Sequence, residues 1–583
     1  MTDSILKGFE VWSHAQGVKS RGRVKSIDNI SLEGIIRLRE LIKELALQGR
    51  LIPQDLDEES GSELLKRIDT VLTSKYGIAF SIKLSRDNST LNPLSFRYTI
   101  PDNWTWCELQ DIAMFINGKA HEQFITEEPN YILINSRFVS TNGSVKKYTT
   151  ERLTPLFKGD IAIVMSDVPE GIALVRCCIV EEDNKYTLNQ RIGGILTCDE
   201  LSSDFLALVL DRNRYYLQYD DGKKQTNLKK IHLLSCPIPL PPLAEQKRIV
   251  AKVNELMVLC DQLEVEHTNN LKTHQILVKT LLETLTQAKD ADELQAAWQR
   301  LSIYFDTLFC TEDSIDQLKQ TVLQLAIMGR LVKQDPNDEP ASELVRMIEK
   351  EKGKLIKEGK LKKQSPLPKI RDDEKLFELP INWEWVRLGE FGIVFSGASF
   401  NSNDFNQQGG TKVIKITNAG VGKLVETDDY LPTNFLSDFE QYVVNENDLI
   451  LALTRPYIAA GLKISKCPPS YNKSLLNQRV ASIRLLEGNN YVFLYLQSSF
   501  VLNLFIERFG NSGLQPNLKI ADVTNLVLPI PPLKEQQRIM SKVDQLFALC
   551  DQLKERIIKS QEIQGLLSET IFESAVALRK KLE

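Results

Sequence analysis

PLPPLAEQKRI (Pro239–Ile249) returns as PIPPLKEQQRI (Pro529–Ile539), 290 residues further along a chain of 583. The same offset carries Leu259-Cys260-Asp261-Gln262-Leu263 onto Leu549-Cys550-Asp551-Gln552-Leu553. Towards the N-terminus, IPDNWTW at Ile100 matches LPINWEW at Leu379, an offset of 279, and LALQGRL at Leu45 matches LAIMGRL at Leu325, an offset of 280. Ser62-Glu63-Leu64 against Ser342-Glu343-Leu344 continues that register. The chain is one unit written twice in tandem. Its copies differ in length chiefly between the W-x-W and the P-P-L, where the offset grows from 279 to 290. A weaker echo inside that interval pairs Leu188-Asn189-Gln190-Arg191 with Leu476-Asn477-Gln478-Arg479.

Each copy reads as helix, variable module, helix. Ile35, Leu38, Ile42 and Leu45 recur at helical spacing and predict one helix over roughly 31–70, repeated over 313–357. Gly49 and Gly329 suit left-handed caps there. The last helix opens after a Pro-Pro pair, where a missing N–H costs nothing. Its stripe runs Ile249, Val253, Leu256, Cys260, Leu263 and again Ile539, Val543, Leu546, Cys550, Leu553. Steps of four and three residues make a heptad seam, so this helix wants a partner helix along its length. In the first copy the seam runs into His267, Asn270 and His274 and becomes imperfect.

The modules, 98–243 and 377–533, have another texture. Short apolar runs such as Asp160-Ile-Ala-Ile-Val164 and Asp448-Leu-Ile-Leu451 are bounded by Gly, Asn, Asp and Pro and read as strands. The fold class expected is α+β: two mixed α/β modules separated by long antiparallel coiled-coil helices, in a pseudo-two-fold tandem repeat. The divisions expected are an N-terminal extension (1–30), a helical region (31–75), the first module (98–243), a central helical region (244–357), the second module (377–533) and a C-terminal helix (534–583). Between the central helices and the second module, 350–371 holds nine Lys/Arg against two Glu. The plain reading is a solvated linker; phosphate contact is the sharper one.

Composition narrows the class. Apolar residues make 42% and charged residues 26%, an ordinary globular balance. The length suggests about three or four domains. No apolar run reaches about 18 residues and no signal-peptide pattern opens the chain, so neither membrane insertion nor secretion is expected. Nine cysteines without a C-x-x-C argue for a reducing, cytoplasmic setting and against structural zinc. Net charge is −5, which points to no polyanionic partner.

Catalytic patterns are missing too. Neither a Walker-type phosphate loop nor G-x-G-x-x-G occurs. An amino-methyltransferase's Asn/Asp-Pro-Pro-aromatic loop has no match; Cys467-Pro468-Pro469-Ser470 and Asn92-Pro93-Leu94-Ser95 are the nearest strings. Glu245-Gln246-Lys247 resembles a nuclease E-x-K, but the second copy has Glu535-Gln536-Gln537, and an acid in a helix's first turn complements its dipole. Cys260 and Cys550 read as small buried apolar residues. Trp104/Trp106 and Trp383/Trp385 read as core anchors at a strand start rather than as base-stacking platforms.

The duplicated order of helix, P-x-N-W-x-W module and P-P-L-x-E-Q-x-R-I helix resembles the specificity subunit of type I restriction–modification systems. The likeness runs from about residue 31 to 580, and Gly49-Arg50-Leu51 with Gly329-Arg330-Leu331 adds to it. The resemblance implies a non-catalytic subunit with two target-recognition domains, each reading half of a bipartite, asymmetric site in double-stranded DNA. It implies two methyltransferase subunits docked on the helices, with restriction/translocase subunits joining them. It implies no cofactor in this chain, the methyl donor, ATP and Mg²⁺ being bound by the partners. A helix of ~40 residues is ~60 Å long, enough to set a gap between half-sites about 34 Å apart. A coiled-coil scaffold that binds protein without DNA specificity is the alternative.

Base edges are read best by Asn, Gln and Arg, and phosphates by Lys, Arg and hydroxyls. The DNA-binding candidates are therefore Asn189, Gln190 and Arg191 with Asn477, Gln478 and Arg479. To these are added Lys223, Lys224, Gln225, Asn227 and Lys229, matched by Gln515, Asn517 and Lys519. The recurrence of N-Q-R in both copies suits a shared phosphate contact or a fold-holding network at least as well as base readout. Residues 98–243 carry 15 basic and 19 acidic side chains, so a DNA-facing surface there is a local patch.

Overall fold

The structure, a computed structural model, describes residues 17–18, 30–76, 98–168, 171–220, 224–363, 365–458, 461–509 and 516–577. Most of the N-terminal extension lies outside the described residues. Two compact units emerge, neither contiguous in the chain. The first joins Asp28–Asn269 to the C-terminal segment from Gln561; the second takes Asn270–Ser560.

The expected opening helix is in fact two, α1 (Glu33–Leu47) and α2 (Gly61–Tyr76). Its counterpart divides likewise into α4 (Glu312–Ile327) and α5 (Ala341–Lys357), with α3 (Leu243–Gln287) between the modules in the chain. The break has a local cause. Gly49 and Gly329 adopt φ of +65° and +69°, and the amides of Arg50 and Arg330 turn back onto the carbonyls of Leu45 and Leu325. Space closes the case for glycine: a Cβ would lie 2.5 Å from the Pro101 ring at position 49 and 2.5 Å from the Pro380 ring at position 329.

In the first module four antiparallel strands run in the order 177–179, 161–164, 192–196, 114–117. A second sheet orders 125–126, 148–149, 131–134, 186–188, 155–156, and its strands 131–134 and 186–188 are parallel. The second module repeats the plan with 464–466, 449–452, 480–485 and 392–396, then 430–431, 411–414, 474–476 and 443–444. Each module is closed by pairing its first strand with its last, 105–108 with 237–240 and 384–387 with 527–530. The W-x-W strand thus lies against the strand that feeds the P-P-L helix.

That helix explains the motif that opened the sequence. α3 and α6 (Leu533–Ala577) are each 45 residues long. In the first turn of each, a carboxylate is almost wholly buried: Glu245 is 0% exposed and Glu535 is 1% exposed. Trp104 Nε1–H donates to Glu245 Oε2 at 3.0 Å, and Trp383 Nε1–H to Glu535 Oε2 at 3.1 Å. The next residue, Gln246 or Gln536, donates its amide to the carbonyl of Pro241 or Pro531 at 3.0 and 2.9 Å. Arg248 pairs with Glu58 and Arg538 with Asp338, tying the helix to the loop after α1 or α4. Burial pushes both glutamates above the usual carboxylate range, against the opposing pull of the indole hydrogen bonds.

The heptad seam finds its partners within each unit. Ile249, Val253 and Cys260 join Ile35, Leu38 and Phe572 in one core. Val278, Leu282 and Leu285 join Ile315, Leu318 and Cys550 in another. Chain direction in the second unit follows from polar pairs. Gln275–Asp313 and Arg330–Thr286 run α3 parallel to α4, whereas Lys319–Asp551 and Lys554–Asp316 run α6 antiparallel to it. Arg50 donates to the Ala575 carbonyl at 2.7 Å, and Arg330 to that of Ala288 at 2.6 Å. The Gly-Arg-Leu arginine of each copy therefore holds the carbonyl end of the other copy's long helix.

The basic stretch 350–371 is less free than a solvated linker. Lys352 Nζ donates to the carbonyls of Gly389, Glu390 and Gly392 at 2.7, 3.2 and 3.0 Å. Arg387 grips the far end, bonding the Pro368 and Lys369 carbonyls and both oxygens of Glu374. That guanidinium holds the Glu374 carboxyl down to about 2. Lys350, Lys357, Lys362 and Lys363 remain exposed.

Glu245→Ala leaves the buried Trp104 indole N–H only its longer bond to Gln54 Oε1, 3.2 Å, and is expected to cost about 1–3 kcal/mol, read as a lower urea midpoint. Glu245→Gln keeps an acceptor without the charge and falls within about 1 kcal/mol of wild type. Glu374 has a depressed folded-state pKa, so its contribution is present above the ordinary glutamate range and disappears as pH falls through about 2. Limited proteolysis at 350–371 in wild type should accelerate over that window, and Arg387→Ala should remove the acid dependence.

Candidate nucleic-acid interface

The Asn-Gln-Arg triplets sit at the junction of the two sheets. In the first module, 189–191 connects strand 186–188 of one sheet to strand 192–196 of the other. Asn189 N–H bonds the Ile134 carbonyl, and its Oδ1 accepts the Gln190 amide at 2.7 Å. In the second, Asn477 N–H bonds the Ile414 carbonyl and its Oδ1 accepts the Gln478 amide at 2.7 Å. Glycine lets a neighbouring strand pass beneath: a Cβ at Gly118 would lie 2.0 Å from the Asn189 carbonyl oxygen, and one at Gly397 would lie 2.3 Å from that of Asn477. The asparagines are half-buried turn formers, while Gln190, Arg191, Gln478 and Arg479 are exposed. Gln190 is tied to Glu122 at 3.1 Å.

A second segment lies beside each turn. The Arg191 carbonyl accepts from Met165 N–H at 3.0 Å, and the Met165 carbonyl accepts from Leu228 N–H at 2.8 Å. The second module repeats this through Arg479, Leu453 and Leu518 at 2.8 and 2.7 Å. Three strands of backbone therefore run side by side: 189–191, 165–167 and 225–229 in one copy, and 477–479, 453–455 and 517–519 in the other. Ser166 pairs with Asn227, and Thr454 bridges Asn517. Gln225 donates to Ser166 Oγ at 2.8 Å, and Thr454 Oγ1 donates to Asn517 Oδ1 at 2.6 Å. Lys224, Asn227, Lys229, Asn517 and Lys519 are exposed. Lys229 and Lys519 each precede a short helix, 230–234 and 520–524. Lys223 and Gln515 lie outside the described residues.

The middle segment is what the sequence reading missed. It is Met165-Ser166-Asp167 in one copy and Leu453-Thr454-Arg455 in the other, so no shared motif marks it. Its position was nevertheless available, since it directly extends the buried strands begun at Asp160 and Asp448. The two versions differ in charge. Asp167 is spent on its own loop, accepting amides from Val168, Ala173 and Leu174 at 2.9, 2.7 and 3.0 Å. Arg455 is exposed.

Among the described residues no group of three His, Cys, Asp or Glu is placed to hold a metal. Burial pushes the Cys178 thiol up to about 12 and raises Cys177 as well, away from nucleophile chemistry. What the geometry offers is a pair of polar edges, alike in backbone hydrogen bonding and different in side chains, each mounted on a helical frame.

Such a chain is a duplicated, two-module protein without a visible catalytic centre among the described residues. The family model for the type I restriction modification DNA specificity domain matches twice, at 101–273 and 380–562. The type I restriction enzyme EcoAI specificity subunit of Escherichia coli is 37% identical over 598 residues, covering 98% of this chain and 99% of that one. The EcoEI specificity subunit of Escherichia coli is 33% identical over 607 residues, with the same 98% and 99% coverage. The crystal structure of an HsdS subunit from Thermoanaerobacter tengcongensis aligns over 82% of this chain and 98% of its own at 16% identity and a TM-score of 0.41, too loosely to bear on the geometry. The chain belongs to the family of type I restriction–modification specificity subunits. Its function is DNA-sequence recognition within such a system, as a non-catalytic subunit.

Asn189→Ala and Asn477→Ala each remove a turn-forming acceptor and are expected to lower stability by about 0.5–1.5 kcal/mol in urea melts. Gln478→Ala and Arg479→Ala, exposed in the same turn, should leave the melts unchanged within about 0.5 kcal/mol.

Proposed function

We propose that residues 98–243 and 377–533 are two target-recognition domains, each reading one half of a bipartite, asymmetric site in double-stranded DNA through its three-segment edge. The observation that carries this reading is the contrast within the repeat. Corresponding backbone hydrogen bonds place Met165 and Leu453 between the same neighbours, yet the next two residues are Ser-Asp in one copy and Thr-Arg in the other. Equal frames with unequal side chains fit two readers of different sequences. Arg191, Lys224, Gln225, Asn227 and Lys229 serve the first half-site; Gln478, Arg479, Asn517 and Lys519 serve the second. Arginine and the amides suit base edges, and the lysines suit phosphates. Asn189 and Asn477 shape the turns that present them.

The remaining helical regions, 31–75, 244–357 and 534–583, dock two methyltransferase subunits, with restriction/translocase subunits joining the assembly. The methyl donor, ATP and Mg²⁺ belong to those partners. The complex works in the cytoplasm, where its DNA is; among the described residues no helix is long and apolar enough to cross a membrane.

Expression of the chain with a type I methyltransferase in a host lacking its own modification systems, followed by genome-wide sequencing of modified bases, tests this. One motif is expected: two specified blocks of different sequence separated by a fixed run of unspecified bases. An assembled complex that modifies no site, or one uninterrupted block, contradicts it.

A further inference from the structure

We infer that Arg455 reads a guanine in the half-site served by the second module and is a specificity-determining residue of that half alone; this rests on the reading proposed above. Arg455 sits in the middle segment of the second edge, with its backbone in the left-handed region at φ +49°, a conformation bulky L residues adopt rarely. Neighbours on both sides hold it there. Its amide donates to the Pro516 carbonyl at 2.9 Å, Thr454 Oγ1 donates to Asn517 at 2.6 Å, and Leu453 is bonded to both Arg479 and Leu518. A fixed backbone with an exposed side chain is a good platform for reading a fixed position.

The charge around it is uncompensated. Among the described residues the Arg455 guanidinium makes no hydrogen bond or ion pair, and neither does that of Arg479, which is exposed and left-handed at φ +68° in the adjoining segment. Three other arginines of this unit are each answered by a carboxylate: Arg387 by Glu374, Arg484 by Asp448, Arg538 by Asp338. Two guanidiniums without such partners therefore lie on neighbouring segments of this edge. A guanidinium's planar pair of N–H donors matches guanine O6 and N7 in the major groove. The first module cannot do the same at this place, because Asp167 stands there and is already engaged by its own loop.

The test uses the full chain co-expressed with its methyltransferase, as wild type, Arg455→Gly and Arg455→Gln. Glycine accepts the left-handed backbone while removing the guanidinium, so the fold is protected. With Arg455→Gly, the preference for guanine at one position of one half-site should fall roughly 10–100-fold, leaving the other half-site unchanged. With Arg455→Gln, the same position should shift towards adenine, which glutamine's amide pairs. If both variants modify the wild-type motif, at full or uniformly reduced frequency, Arg455 contacts at most phosphate and the inference fails while the two-reader function stands. If wild type shows no split motif, the functional reading fails and takes the inference with it.

Discussion

The hydrogen bond from a tryptophan indole to a buried glutamate carboxylate, made once in each copy, is the contact on which the rest is assembled. Trp104 immediately precedes the first strand of its module and Glu245 sits in the first turn of α3, which follows the module's last strand. Closing that bond brings the two ends of a variable segment together and aims the long helix away from them. The same carboxylate lies against the loop held by Gly49, where glycine makes room for the Pro101 and Trp104 rings. Burying a charge is costly unless it is hydrogen-bonded, and the raised pKa of both glutamates records that cost. The indole and the helix N-terminus offset it.

Once the ends are clamped, the interior of each module is free to vary. The copies share strand order and the pairing of their sheets, yet differ in length and in the side chains of the polar edge. Backbone hydrogen bonds fix where the three segments lie, so corresponding places on the two edges carry Asp167 in one copy and Arg455 in the other. The division between constant frame and variable reader is physical: main-chain pairing specifies the first, side-chain chemistry the second. The frame has its own reciprocity, since Arg50 and Arg330 each secure the terminal carbonyls of the long helix that belongs to the other copy.

The repeat, the strand-rich modules, the heptad seam and the burial of Cys260 and Cys550 were all legible in the residues, because periodicity and self-similarity act over short range. Three things were not. The opening helix reads through to about residue 70 although Gly49 already suits a left-handed cap; the Pro101 ring, distant in sequence, adds why no larger residue fits there. Glu245 was read as a dipole partner, which it is by position, but its indole donor lies 141 residues away and no local pattern announces it. The N-Q-R turn was found because it repeats. Its neighbour at 165–167 was not, since a segment defined by main-chain bonds and differing in side chains leaves no motif.

The central claim, that one frame carries two independent readers, is tested most directly by replacing residues 98–243 with 377–533 and sequencing the bases modified by the resulting complex. The account predicts that the half-site served by the second module appears on both sides of the gap and that the other half-site is lost. Retention of the original asymmetric motif would contradict it, because specificity would then reside outside the exchanged modules.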